Sequence, residues 1–153
     1  LVGVANPDMQ HRMALALMGR GVKSAWLVHG DGGLDELAVS GPNRVTQLRN
    51  GSITEFTVDA AEVGIARSTL DDVRGGEPAE NARIVRDMLA GKPGPVRDIV
   101  VFNAAAALHV AGVAASLAEA KPLAESSIDS GAASRVLDSL IKESAAAAAR
   151  MAQ

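Results

Sequence analysis

The stretch His29-Gly30-Asp31-Gly32-Gly33-Leu34-Asp35-Glu36-Leu37 follows directly on the apolar run Ala25-Trp26-Leu27-Val28. An apolar strand that opens into a glycine-rich loop is where α/β proteins commonly hold a ligand. Two adjacent carboxylates in such a loop suit a hard cation such as Mg²⁺, which bridges protein carboxylates to substrate phosphates. From the dipeptide Asp35-Glu36 alone, a pair of solvated loop acids is the alternative. Asp31 reads as a turn residue that bonds backbone N–H groups, with an added negative field for a cation as its alternative. The glycines around it read as positions of tight or left-handed backbone. His29, at the strand end, reads as a hydrogen-bonded structural histidine, because Mg²⁺ prefers oxygen.

Upstream, Leu1-Val2-Gly3-Val4 reads as a strand already in progress, which suggests that sequence is missing before it. Asn6-Pro7 is a helix start, with Asn as the cap and Pro where its missing N–H costs nothing. Met9, Met13 and Leu17 recur every four residues and predict one apolar face, stopped by Gly19 and Gly21. A second strand is expected over Ser24 to His29. Strand, helix and strand in about 30 residues make a βαβ unit. Downstream, Gly41-Pro42 is a turn, and Asn50-Gly51 between Arg44–Arg49 and Ser52–Val58 is a hairpin signal. Val45 and Leu48 are out of phase for a strand with one buried face.

The second half reads as helical. Asp59 to Arg74 is irregular, with room for one short helical turn. Gly75-Gly76-Glu77-Pro78 opens a helix whose buried stripe is Ile84, Val85, Met88 and Leu89, ended by Gly91 and Pro93. Over Asp98 to Gly112, Ile99-Val100-Val101-Phe102 alone suggests a strand, but one buried helix covers that run and Ala104 to Ala107 together. Asn103 inside it must find a partner, because a buried unsatisfied amide costs about 1–3 kcal/mol. Glu80 and Asn81, in a first helical turn, read as structural, Asn81 as a tie to the Gly75-Gly76 loop. Two further helices are expected at Ser116–Asp129 and Ala132–Ile141, then a fraying helix or tail through Ala145–Ala149. His11 reads as a surface residue, His109 as a buried one, and Trp26 and the methionines as core. The expected domain is residues 1–141, with 142–153 an Ala-rich tail. The fold class is α/β: a mixed sheet with a βαβ unit and a hairpin, flanked by helices.

Composition excludes several roles. The 153 residues carry a formal net charge of −3 and no basic run, so nucleic-acid binding has no electrostatic support. Aromatic residues are 2% of the chain, too few for stacking platforms on single strands. The absence of cysteine removes disulfides, thiolate metal sites and a cysteine nucleophile, and fits a cytoplasmic protein. No apolar stretch reaches the roughly 20 residues of a membrane span.

Taken in order, several motifs converge. They are Val28-His29-Gly30-Asp31-Gly32-Gly33-Leu34-Asp35-Glu36, Gly41-Pro42, Gly75-Gly76-Glu77-Pro78-Ala79-Glu80-Asn81-Ala82, Arg97-Asp98-Ile99-Val100 with Asn103-Ala104-Ala105-Ala106-Ala107-Leu108, and Ile128-Asp129-Ser130-Gly131. The succession resembles the anthranilate phosphoribosyltransferase family, up to about residue 141. The resemblance implies the C-terminal part of the α/β domain of the nucleoside phosphorylase/phosphoribosyltransferase type. It implies a Mg²⁺-dependent enzyme of tryptophan biosynthesis, usually a homodimer. Such an enzyme transfers phosphoribosyl from 5-phosphoribosyl 1-diphosphate to anthranilate and releases diphosphate. Asp35 and Glu36 match the family's Asp-Glu pair, which holds Mg²⁺ beside the diphosphate. The family's glycine-rich diphosphate loop and its anthranilate-binding arginine have no counterpart in 1–153, so substrate-binding residues are expected in a missing N-terminal part. The isolated segment is expected to be inactive. A pyrimidine-nucleoside phosphorylase-like enzyme and a non-catalytic ligand-binding relative are the alternatives.

Overall fold

The computed structural model describes residues 1–151. Its sheet has four strands in the order β1 (Val2–Gly3), β2 (Ser24–His29), β3 (Asn43–Arg49) and β4 (Ser52–Val58). β1 runs parallel to β2 across the helix α1 (Gln10–Gly19), and β2–β3 and β3–β4 are antiparallel. The expected βαβ unit and hairpin are thus both present in one mixed sheet. The hairpin closes through Asn50 and Gly51 at φ 49° and 81°, the two positive values that an Asn-Gly turn supplies cheaply.

The phase break in β3 has a physical cause: both faces of the sheet are covered. Leu48 pairs with Ala25 on one face, while Val45 pairs with Val28 on the other. The first face packs on α1, where Ala14 and Leu27 are fully buried beside Val4, Met13, Leu17 and Ile53. The second face, with Trp26, Val28 and Val45, meets the main core, built from helices α2 (Pro78–Leu89), α3 (Pro95–Val110) and α4 (Leu117–Asp129). Phe102 of α3 is its largest fully buried side chain. Burying a side chain of that size contributes about 2–3 kcal/mol. The last helix, α5 (Ala132–Met151), lies against α4 and α2.

Several local expectations change. Met9 is exposed, and the buried residue at the start of α1 is Gln10. Its amide donates to the carbonyls of Leu27 (2.8 Å) and Arg44 (3.1 Å), so a polar residue is buried at no net loss of hydrogen bonds. In α2 only Met88 is buried, and Val85 lies open. Of the methionines, Met88 alone is fully in the core, and Met151 is almost wholly exposed. The segment 59–74 holds two 3₁₀ turns, Ala60–Val63 and Leu70–Val73. The Ala-rich segment 142–153 continues α5 as far as Met151, and its last two residues lie outside the described residues. No helix among the described residues is long and apolar enough to cross a membrane.

Candidate functional site

β1 and β2 are parallel, so their C-terminal ends lie together, and the acidic loop leaves from the end of β2. Directly after His29 the chain makes a 3₁₀ turn at Asp31–Gly33, closed by Gly33 N–H to Gly30 O (3.1 Å) and Gly30 N–H to Leu34 O (2.8 Å). Leu34 is half-buried, Asp35 and Glu36 are exposed, and Leu37, Ala38 and Val39 are buried. The two carboxylates therefore ride on a short crest between buried anchors. That alternation of exposure follows from the sequence, Leu-Asp-Glu-Leu-Ala-Val, in which only the acids are charged.

Four features fix the crest. A Cβ on Gly3 would overlap the carbonyl of Asp35, and one on Gly30 would overlap that of Glu36. Glycine at both strand ends is what lets the acidic backbone pack this closely. Asn103 of α3 accepts from Leu37 N–H on Oδ1 (2.9 Å) and donates from Nδ2 to Leu37 O (2.8 Å) and Ile99 O (2.9 Å). Asn43, at the start of β3 and fully buried, does the same for the next residue. Its Oδ1 accepts from Ala38 N–H (2.6 Å), and its Nδ2 faces the carbonyls of Ala38, Gly41 and Val58. The need for a partner at Asn103, read from the sequence, is met by the residue adjoining Glu36.

The pair is electrostatically poised for a cation. Partial burial lifts the Glu36 carboxyl above its usual range, and the neighbouring charge of Asp35 lifts it further. A divalent ion between them would relieve both effects. Two hard oxygen donors on an exposed crest fit Mg²⁺, which takes one or two carboxylates and fills its octahedron with water and phosphate oxygens. Among the described residues no cluster of three or more His, Cys, Asp or Glu side chains is placed to hold an ion.

The other residues singled out in the sequence fall around the crest or far from it. Asp31 bonds a side chain where a backbone N–H was expected: the Ser40 hydroxyl donates to it (2.7 Å), tying the two ends of the loop. His29 donates from Nδ1 to Val4 O (2.8 Å), which is a structural tie between β1 and β2. Asn81 grips Gly76 through its N–H and C=O (both 2.8 Å), the expected tie to the glycine loop. Glu80 lies beside Gly76 on the same turn. His11 is at the surface near Glu55 (3.2 Å), and His109 is half-buried with its ring against Trp26. Beyond the loop, Asp59 pairs with Arg67. The Arg67 hydrogen bond and the Ala61 N–H together hold the Asp59 carboxyl below its usual range.

Sequence reasoning missed Asn43, Gly3 and Arg67. A signal existed for two of them. Asparagine is a poor strand former, so one beginning a strand asks for a reason, and glycine inside a strand marks a close backbone approach.

The chain belongs to the glycosyl transferase family, a/b domain, whose model matches residues 1–134. Within that class it is similar to anthranilate phosphoribosyltransferases. It is 45% identical to the Moorella thermoacetica enzyme over 141 residues, 92% of this chain and 42% of that protein. It is 44% identical to the enzyme of Rhodopseudomonas palustris strain HaA2 over 147 residues, 96% of this chain and 44% of that protein. Among solved structures, the anthranilate phosphoribosyltransferase of Thermus thermophilus superposes with a TM-score of 0.80 at 37% identity, over 89% of this chain and 40% of that one. The Saccharomyces cerevisiae enzyme in complex with PRPP and Mg superposes with a TM-score of 0.77 at 26% identity, over 89% and 38%. The chain spans about two fifths of the length of the curated relatives it matches.

Proposed function

We propose that this chain is the metal-holding part of an anthranilate phosphoribosyltransferase, with Asp35 and Glu36 gripping Mg²⁺ at the diphosphate of 5-phosphoribosyl 1-diphosphate. The observation that carries this reading is the crest itself: two exposed, adjacent carboxylates on a backbone fixed from both sides. The relatives' shared name supplies the reaction, and the yeast structure with PRPP and Mg supplies the ligand class.

Displacement at the anomeric carbon builds positive charge on the sugar ring and negative charge on the departing diphosphate. When bound, Mg²⁺ offsets that second charge at the leaving oxygens. Asp35 and Glu36 act by presenting two oxygens at a fixed height above the strand ends. Below them, Asn103 and Asn43 hold the backbone of Leu37 and Ala38. Stabilisation aimed at developing charge speeds the step selectively and contributes several kcal/mol. The amine of anthranilate needs no base from this crest, since positioning and leaving-group stabilisation supply most of the rate. Substrate-binding groups, and the contacts of a homodimer, belong on this reading to the remainder of the enzyme.

Asp35→Asn combined with Glu36→Gln, made in the full-length enzyme, tests the assignment. Turnover of anthranilate with PRPP should fall by about 10²–10⁴-fold, while the circular dichroism spectrum is kept and the metal-free protein melts no lower than the parent. Turnover near that of the parent would remove the metal role. A parallel assay of thymidine phosphorolysis separates the anthranilate reaction from that of a nucleoside phosphorylase: activity there in place of anthranilate transfer would overturn the substrate assignment.

A further inference from the structure

Asn103 lies 66 residues from Leu37 in the chain and on a different element, yet it spends its whole amide on that segment and its own helix. Around it α3 is apolar: Ile99, Phe102 and Ala106 are buried in the main core. An alkyl group here would leave the Leu37 N–H and C=O without their partner, at about 1–3 kcal/mol for each buried group. The residue Asn103 holds is the one directly after Glu36.

We propose that Asn103 is a positioning residue for the cation–diphosphate site, fixing the Leu37 backbone so that Asp35 and Glu36 stay aligned for a metal ion before it arrives. The proposal rests on reading those two acids as the metal-holding pair. Its physical basis is preorganisation: a ligand set already held in its bound arrangement binds with less lost freedom. Groups that orient metal ligands in this way typically change metal affinity by 10- to 100-fold when removed. Asn43 fixes the neighbouring residue, but it also joins β3 to β4 through Val58 O, so its loss disturbs the sheet as well. Asn103 is the cleaner probe.

The experiment uses the full-length enzyme with Asn103→Asp and Asn103→Ser. The first keeps the shape and the acceptor for Leu37 N–H but loses both donors; the second is smaller and uncharged. Binding of Mn²⁺ in the presence of inorganic diphosphate is followed by the paramagnetic resonance of the free ion, and exchange of the Leu37 amide by mass spectrometry. The expected result is Mn²⁺ affinity weakened about tenfold or more with faster Leu37 exchange. Asn81→Ala, which loosens a different loop, should leave Mn²⁺ binding as in the parent. Affinity within about twofold of the parent in both Asn103 variants overturns the proposal. Loss of affinity in Asn81→Ala to the same degree overturns it as well, because the effect would then follow general loosening. The Asp35→Asn, Glu36→Gln double variant separates the two levels. If it binds Mn²⁺ and diphosphate like the parent, the acid-pair reading fails and this inference with it. If it has lost that binding while the Asn103 variants have not, only the inference fails.

Discussion

Two glycine-rich loops in this molecule are held by the same device and yet are held differently. In each, an asparagine side chain grips the N–H and the C=O of one residue, as a neighbouring strand would. Asn81 grips Gly76, and Asn43 and Asn103 grip Ala38 and Leu37 respectively. The Gly76 tie is exposed and local, five residues from its asparagine, at the first turn of α2. The Leu37-Ala38 ties are buried or half-buried, and one reaches across the fold to α3. Where water can replace the bond, the device trims a loop. Where it cannot, the loop backbone has no other partners, and its position becomes a condition of folding. The loop held more firmly is the one that carries the acidic pair.

The comparison breaks most visibly at Asn43. Its amide faces four buried backbone groups, and Asn43→Ala would leave the N–H and C=O of Ala38 without this partner over a small void. Destabilisation of about 3 kcal/mol or more is expected, read as a lowered midpoint in chemical denaturation of the full-length enzyme. Asn81→Ala should cost about 0.5–1 kcal/mol, because Gly76 can bond water instead. Equal costs for the two would mean that burial is not what separates the loops.

How far the sequence could be read follows the same division between local and distant. The hairpin was legible because Asn50-Gly51 carries its own backbone preference. α3 was legible because its apolar run is too long for one strand and continues into alanines. Asp35 and Glu36 were legible as a candidate pair because they adjoin in sequence and follow glycines. Met9 was misplaced and Gln10 passed over because the partners that make Gln10 a buried residue, the carbonyls of Leu27 and Arg44, lie 17 and 34 residues away. Val85 was read as core from helical spacing, but spacing cannot say which neighbouring helix comes close enough to cover a side chain. Asn43 escaped for a related reason: its partners lie in the loop, in the turn and at the end of β4, and only the closed sheet brings them together. The acidic pair was thus readable as a candidate, Asn103 as a residue in need of a partner, and Asn43 not at all.

The smallest effect expected concerns the charge on the crest. Burial and Asp35 together hold the Glu36 carboxyl above its ordinary value of 4.5, so the folded protein binds this proton more tightly than the unfolded chain does. That contribution to stability is complete below the ordinary value and is lost as pH rises through the raised one. Above that window the ionised side chain weighs against the fold, because it is partly desolvated and faces the charge of Asp35. Glu36→Gln carries no charge at any pH. In metal-free full-length enzyme it should melt slightly higher than the parent once the pH exceeds the raised value, and the gap should close as the pH falls towards 4.5. Asn81→Ala, whose deficit involves no titrating group, should show a gap that does not change over the same range. Adding Mg²⁺ with inorganic diphosphate should narrow or reverse the advantage of Glu36→Gln, since the parent then gains a bound ion that the variant holds poorly. A melting difference that stays constant with pH would show that the charge of Glu36 is relaxed by solvent, and that the crest is less constrained than its two asparagines imply.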